Sequence, residues 1–215
     1  MAGRVVRTER VNETRELILT AAERLFAEHG LLAVSNRQVS EAAGQGNNTA
    51  VGYHFGTKTD LIRAIVRKHG EPIDAIRRRL LAEAGDSTDV RDWVGCLVRP
   101  ICDHLAELGN PTWYARFGAQ VMTDPVLREV VVEEAMAERS LQQVLEGLNR
   151  SLPALPLEVR MERSHMARQL LVHMIAEHEL AMATGRPTAR ANWHDVGTGL
   201  IDAIVGMLLA PVTRA

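Results

Sequence analysis

Residues 44–61 read GQGNNTAVGYHFGTKTDL. Glycines, two asparagines and a Tyr-His-Phe triplet stand directly before a segment that opens on a threonine suited to capping a helix. A core helix does not choose this composition, because Gly46 and Gly52 weaken it and Asn47 and Asn48 favour caps and turns. A plain loop has no use for Val51 and Phe55. The stretch therefore reads as a short helix near Asn47–Tyr53, apolar inside and polar outside.

Its neighbours supply the setting. In NETRELILTAAERLFAEHG, Ile18, Ala21, Ala22, Leu25 and Phe26 fall on one face at helical spacing. Asn12 is expected to cap that first helix, Glu13 and Glu16 favour its first turn, and Gly30 ends it. In SNRQVSEAAG, Ser35 and Gln38 have the spacing of a capping box and Gly44 stops a short second helix. TKTDLIRAIVRKHG begins a fourth at Thr57, with Asp60 three residues on and Leu61, Ile62, Ile65 and Val66 facing inward.

Beyond Gly70, helices are expected near residues 73–84, 88–108, 112–123, 125–150, 157–184 and 192–210, separated by EAGDST, GNP, DP, LPALP and TGRPTARA. No stretch alternates as a strand does, and aromatic residues make up only 4% of the 215. The fold class is all-α: a three-helix unit over residues 1–56, with a possible basic arm at 1–11, followed by a helical body over 57–215. At 46% hydrophobic, the chain can bury a sizeable core.

The net charge of −2 is unevenly spread. Residues 1–70 carry ten Arg and Lys against seven Asp and Glu; the rest carry fifteen against twenty. A basic end on an acidic body suits an anionic partner at that end, although an excess this small decides nothing alone. The opening MAGRVVRTER lacks the apolar core of a signal peptide, and no apolar run is long enough to cross a bilayer, so a cytoplasmic protein is expected. Cys96 and Cys102 are six apart, too far along one helix for a mutual disulfide and not spaced for zinc.

Three helices with a glycine turn between the second and third make a helix-turn-helix. A helix that enters the major groove needs short polar side chains outside and apolar ones inside. Asn47, Asn48 and Thr49 can supply the first, and Val51 and Phe55 the second. The stretches TRELILTAAERLFAEHG, SNRQVSEAAG and YHFGTKTDL resemble the tetracycline-repressor (TetR) family of bacterial transcriptional regulators over residues 14–61. That resemblance implies that Arg37 reaches a base or phosphate, that the third helix reads the groove, and that His54 and Lys58 grip phosphate. Gly52 stands where the family usually has tyrosine, with Tyr53 beside it, which leaves open which of Asn47, Asn48, Thr49 and Tyr53 touches a base. Gln45 completes the expected DNA-binding set.

Duller readings stand beside these. Asn47 fits a helix N-cap, Arg37 can pair with Glu41, and Arg4, Arg7 and Arg10 can be a plain tail rather than an arm on the minor groove. Lys58 opposes the dipole of the helix it begins, which favours a phosphate contact.

The last two helices carry broad apolar faces. Met166, Leu170 and Leu171 on one, and Val196, Leu200, Ile204 and Leu208 on the other, are expected at a homodimer interface, as the resemblance also implies. Two-fold symmetry would set paired third helices on a near-palindromic site in duplex DNA. The resemblance further implies an effector pocket for a small, largely apolar molecule. Trp93, His104, Trp113, Arg116, Phe117, Gln120, Met122, His173 and Met174 are its candidate walls, each also readable as core.

ERSH (Glu162–His165) is one Glu-x-x-His where a di-iron bundle needs two, and no Gly-rich phosphate loop or catalytic motif accompanies it. No enzyme, cofactor, metal or membrane partner is expected. The reading is a ligand-responsive repressor; an effector-blind DNA-shaping protein is the alternative.

Overall fold

The computed structural model describes residues 2–47 and 49–212, with side chains described for 11–47 and 49–212; Asn48 and the side chains of Arg4, Arg7 and Arg10 lie outside them. The described residues form α1 (Ala2–His29), α2 (Asn36–Ala42), α3 (Ala50–Phe55), α4 (Lys58–Ala84), α5 (Val90–Leu108), α6 (Tyr114–Thr123), α7 (Pro125–Ala137), α8 (Arg139–Ser151), α9 (Leu157–Thr184) and α10 (Trp193–Leu209), with no strand among them.

Local chemistry sets most of these boundaries. Ser35 with Gln38, and Thr57 with Asp60, each form a complete capping box at the starts of α2 and α4. Asp124 accepts from the amides of Val126 and Leu127 to start α7, and Asn192 accepts from the amide of Asp195 to start α10.

Four boundaries differ from the sequence reading. α1 begins at Ala2 rather than at Asn12, because nothing from Arg4 to His29 is glycine or proline and one asparagine costs a helix little. α3 begins at Ala50 rather than near Asn47. α4 runs through Gly70 and Pro72 without a break: Pro72 removes one helical hydrogen bond, but buried His69, Ile73, Asp74 and Ile76 hold that stretch against its neighbours. The helix expected over 125–150 instead divides at Glu138, whose φ of −78° and ψ of 116° are extended. The break lets α7 lie along α4 and α6 while α8 turns onto α5.

Two apolar clusters result. The first joins Ile18, Ala22 and Phe26 of α1 with Val39 of α2, Val51 of α3 and Leu61, Ile62 and Ile65 of α4, and it also takes in Phe117 and Val121 of α6. The second joins Trp93, Val94, Val98 and Leu105 of α5 with Leu148 of α8, Ile175 of α9 and the inner face of α10. Burial of each Leu, Ile or Val contributes roughly 1.5–3 kcal/mol. Tyr114 packs against both clusters, so α6 ties the helix-turn-helix to the body. A division between residues 56 and 57 falls at the start of α4, whose first turns enter the first cluster.

The second cluster corrects the expected interface. Val196, Leu200, Ile204 and Leu208 are buried within the chain, packed with Val94, Val98 and Leu105 of α5, and are not free for a second copy. Met166 is 46% exposed, and Leu170 and Leu171 are partly so. α10 instead presents Asp202, Ala203, Gly206 and Leu209 outward.

Candidate nucleic-acid interface and the seam behind it

The turn between α2 and α3 is fixed by short polar side chains. Gly44 takes a φ of 68°, which an L side chain adopts only with strain. The side-chain amide of Gln45 donates to the carbonyl of Ala43 at 3.0 Å. Asn47 Oδ1 accepts from the backbone amide of Thr49 at 2.9 Å and from its hydroxyl at 2.7 Å, an Asx turn that delays α3 to Ala50. Asn47 thus shapes the turn before the helix, while Thr49 occupies the cap position without a side-chain cap bond.

α3 divides into two faces. Ala50 and Val51 are buried in the first cluster. Thr49, Gly52 and Tyr53, at i, i+3 and i+4, are exposed; Tyr53 is 79% exposed, and a Cβ at Gly52 would meet nothing within 4 Å. Arg15 of α1 holds the far end, its guanidinium 4.3 Å from the centre of the Phe55 ring and hydrogen-bonded to the carbonyl of His54. Burial, and then the nearby charge of Arg15, push the His54 pKa down, so at neutral pH this imidazole offers an N–H rather than a charge.

The other two expected contacts fare differently. Arg37 lies open on α2 and is paired with Glu41 at 2.8 Å. Lys58 turns inward: its ammonium donates to the carbonyls of Leu31 and Val34 (the latter at 2.7 Å) and lies 5.2 Å from the centre of the Phe26 ring. Partial burial lowers its pKa. The unfavourable place of Lys58 at a helix start is thus offset by two carbonyls left over between α1 and α2, and its geometry gives it a duty within the fold.

Behind α3, a groove of about 470 Å³ lies between α1, α3 and α4, walled by Arg15, His54, Phe55, Arg63 and Lys68 among others. Its cations are largely engaged. Arg63 and Arg67 each reach Glu134 of α7 at 2.7 Å, and Lys68 reaches Glu16 of α1 at 3.0 Å.

Deeper lies a seam of buried polar groups that the sequence did not reveal. Glu23 of α1 and His69 of α4 meet at 2.8 Å, and the other ring nitrogen of His69 meets Nε2 of His104 in α5, also at 2.8 Å. Tyr114 of α6 stacks on His69 with ring centres 3.9 Å apart. Burial, with a smaller effect from His69, pushes His104 down to about 4. The signal for this seam was a polar residue on an otherwise apolar stripe, His69 after Ile65 and Val66.

The candidate pocket residues do not converge. Trp93 of α5 lies against Gly147 of α8, its indole donating to the carbonyl of Ser87 at 3.0 Å, and His104 belongs to the seam. Phe117 is fully buried and stacks on Phe26 and Tyr114; Met122 is buried and Trp113 half-buried at the start of α6. Arg116 is held by Glu179 of α9 at 3.0 Å. Gln120, His173 and Met174 are exposed, the last two on the outer side of α9. Glu162 and His165 are also exposed, and no group of three or more His, Cys, Asp or Glu among the described residues could hold a metal ion. Likewise, no described helix is long and apolar enough to cross a membrane.

Residues 18–65 match the family model for bacterial regulatory proteins of the tetR family, and residues 95–207 match that for the tetracyclin repressor-like C-terminal domain. The HTH-type transcriptional repressor AcnR of Corynebacterium glutamicum is 29% identical over 161 residues, which cover 70% of this chain and 76% of AcnR. The probable HTH-type transcriptional regulator ArpR of Pseudomonas putida is 32% identical over 100 residues, which span 46% of this chain and 45% of ArpR. Among solved structures, a TetR family transcription regulator from Marinobacter aquaeolei superposes with a TM-score of 0.62 at 14% identity, covering 94% of this chain and 98% of that one. The regulator PfmR from Thermus thermophilus gives 0.53 at 17%, covering 87% and 96%. These two likenesses extend to the fold.

Proposed function

This chain belongs to the TetR family of bacterial transcriptional regulators, and on that premise we propose that it is a homodimeric repressor that leaves a near-palindromic operator when a small effector binds its second domain. The carrying observation is the two-sided α3: Ala50 and Val51 are sealed into the first cluster while Thr49, Gly52 and Tyr53 face outward. Thr49 can hydrogen-bond a base or touch a thymine methyl, and the bare Gly52 lets the duplex approach the backbone. Tyr53, Asn47 and Gln45 border that face, and Arg37 can exchange Glu41 for a phosphate, since an exposed pair is worth little. His54 serves as a neutral donor, and Lys58 supports the turn behind.

The dimer surface we assign to the outer sides of α9 and α10, the first carrying Met166, Leu170 and Met174 and the second Ala203, Gly206 and Leu209. Those residues are exposed or half-buried in the single chain. Two copies joined there would present two α3 helices to successive major grooves, about 34–36 Å apart. The Glu23–His69–His104 seam, which touches α1, α4 and α5, supplies a contiguous path from the second domain to the helix-turn-helix.

Selection of bound fragments from bacterial genomic DNA, followed by anisotropy titrations with Thr49→Ala and Tyr53→Ala, tests this. A recurring inverted repeat is expected, with a changed base preference for Thr49→Ala and about tenfold weaker binding for Tyr53→Ala at unchanged stability. Binding without sequence preference would favour a DNA-shaping protein, and no binding at low salt would end the proposal.

A further inference from the structure

α8 begins without a cap. Its N-cap residue, Glu138, makes no side-chain hydrogen bond to the amides of the first turn, so that turn presents donors and the positive end of a 13-residue helix. Beside it lies Arg77 of α4, whose side chain is only 9% exposed. Its Nη1 is 3.4 Å from the hydroxyl of Ser140, in the first turn of α8.

This buried guanidinium is incompletely matched. Its Nε meets no acceptor, and Asp74 stands 3.9 Å away from Nη1, too far for a good hydrogen bond. Asp74 is itself engaged, accepting from the hydroxyl of Ser140 and pairing with exposed Arg78 at 3.0 Å. Glu138 adds attraction without a hydrogen bond to Arg77. A buried cation left partly unpaired is costly, and a bound anion would complete it.

We propose that Arg77, Ser140 and the first-turn amides of α8 form an oxyanion site for the carboxylate or phosphate head of the effector. The site deepens, and rests on, the reading of the chain as effector-responsive. All three elements offer hydrogen-bond donors, and a cation would be repelled by both the guanidinium and the helix end. A planar carboxylate can take Nε and one Nη together while another oxygen lone pair meets the amides. To bind, it displaces Asp74 from Ser140, and that exchange moves α8 relative to α4.

The test uses the full-length protein with benzoate and inorganic phosphate as separate probes. The nitrogen-15 resonance of Arg77 Nε and the amide resonances of Ser140 and Leu141 are followed, together with affinity for the selected DNA. Saturable movement of these resonances with one probe, and loss of DNA affinity over the same range, is expected; which probe acts distinguishes carboxylate from phosphate. Arg77→Gln should abolish the response, and Ser140→Ala, which leaves the guanidinium in place, should weaken it about tenfold. No movement in the wild-type protein with either probe overturns the site, as does a full wild-type response retained in both variants. Movement without DNA release overturns its assignment to the effector. A wild-type protein that ignores all DNA ends the regulator reading instead, while the resonances still report on the site.

Discussion

The carboxylate of Glu23 in α1 and the imidazole of His69 in α4 meet at 2.8 Å with residue exposures of 5% and 3%. An ionised carboxylate only accepts, so His69 Nε2 must carry a hydrogen. Its Nδ1 can then accept from the N–H of His104 Nε2, 2.8 Å away. With its pKa pushed down to about 4, mainly by burial, His104 is uncharged at neutral pH.

That pKa makes the seam sensitive to acid. Between pH 6.5 and 4 the unfolded chain protonates His104 while the folded chain resists it, so the stabilisation is present above about pH 6.5 and is lost as pH falls towards 4. Stability should drop by about 2 kcal/mol between pH 7 and pH 5 from this residue. Urea unfolding midpoints at the two pH values measure it. His104→Gln should remove most of the slope, and an undiminished slope in that variant would move the acid sensitivity elsewhere.

Lys58 gives a second, separable expectation. Its ammonium satisfies the carbonyls of Leu31 and Val34 and lies near the Phe26 ring. Lys58→Met keeps the apolar stem and removes the donor, so a loss of about 1–2 kcal/mol of stability is expected. The dependence of DNA affinity on salt should keep its slope, because a carbonyl-bound lysine neutralises no phosphate. A slope reduced by about one, at full stability, would return Lys58 to the backbone of the DNA.

Lys58 also shows why the sequence was readable in some places and not in others. The capping boxes at Ser35 and Thr57 and the stripe of α1 from Ile18 to Phe26 depend on near neighbours, and the structure keeps them. The two-sided α3 followed from the same local pattern, although Asn47 set its start late by bonding Thr49. Lys58 could not be assigned locally, since its partners are 24 and 27 residues away. The same holds for α10, whose apolar face is spent on α5 inside the chain. Apolar spacing says that a face is buried, and only the tertiary arrangement says against what. The unbroken α4 and the split at Glu138 likewise follow from packing that overrides local propensity.

Glu179 is a distant cap. From α9 it accepts from the amides of Ala115 and Arg116 at 3.1 and 3.0 Å and pairs with the Arg116 guanidinium, while only 1% exposed. It thus starts α6 where Trp113, at the cap position, makes no side-chain bond. Glu179→Ala should cost about 3–5 kcal/mol, because two amides lose their acceptor and a partly buried guanidinium is left with only the Thr112 carbonyl. Arg116→Met alone should cost less, since the amides keep the carboxylate. The double variant should be more stable than the sum of the two losses implies; simple additivity in chemical unfolding would show the groups to be uncoupled.

Trp93 and Gly147 fix how α5 meets α8. A Cβ at Gly147 would lie 2.5 Å from Cε3 and Cζ3 of the indole, and the ring cannot easily retreat because its Nε1 is bound to the carbonyl of Ser87. Alanine is the better helix former by about 0.5–1 kcal/mol, so propensity alone predicts that Gly147→Ala stabilises the protein. Overpacking costs about 1–3 kcal/mol and should win, leaving a net loss of about 1–2 kcal/mol. Trp93→Leu combined with Gly147→Ala separates the two effects, since a side chain with no ring leaves room for the methyl. In that background the alanine should become neutral or stabilising. If it destabilises as much with leucine as with tryptophan, the close approach of the ring is not what selects glycine at 147.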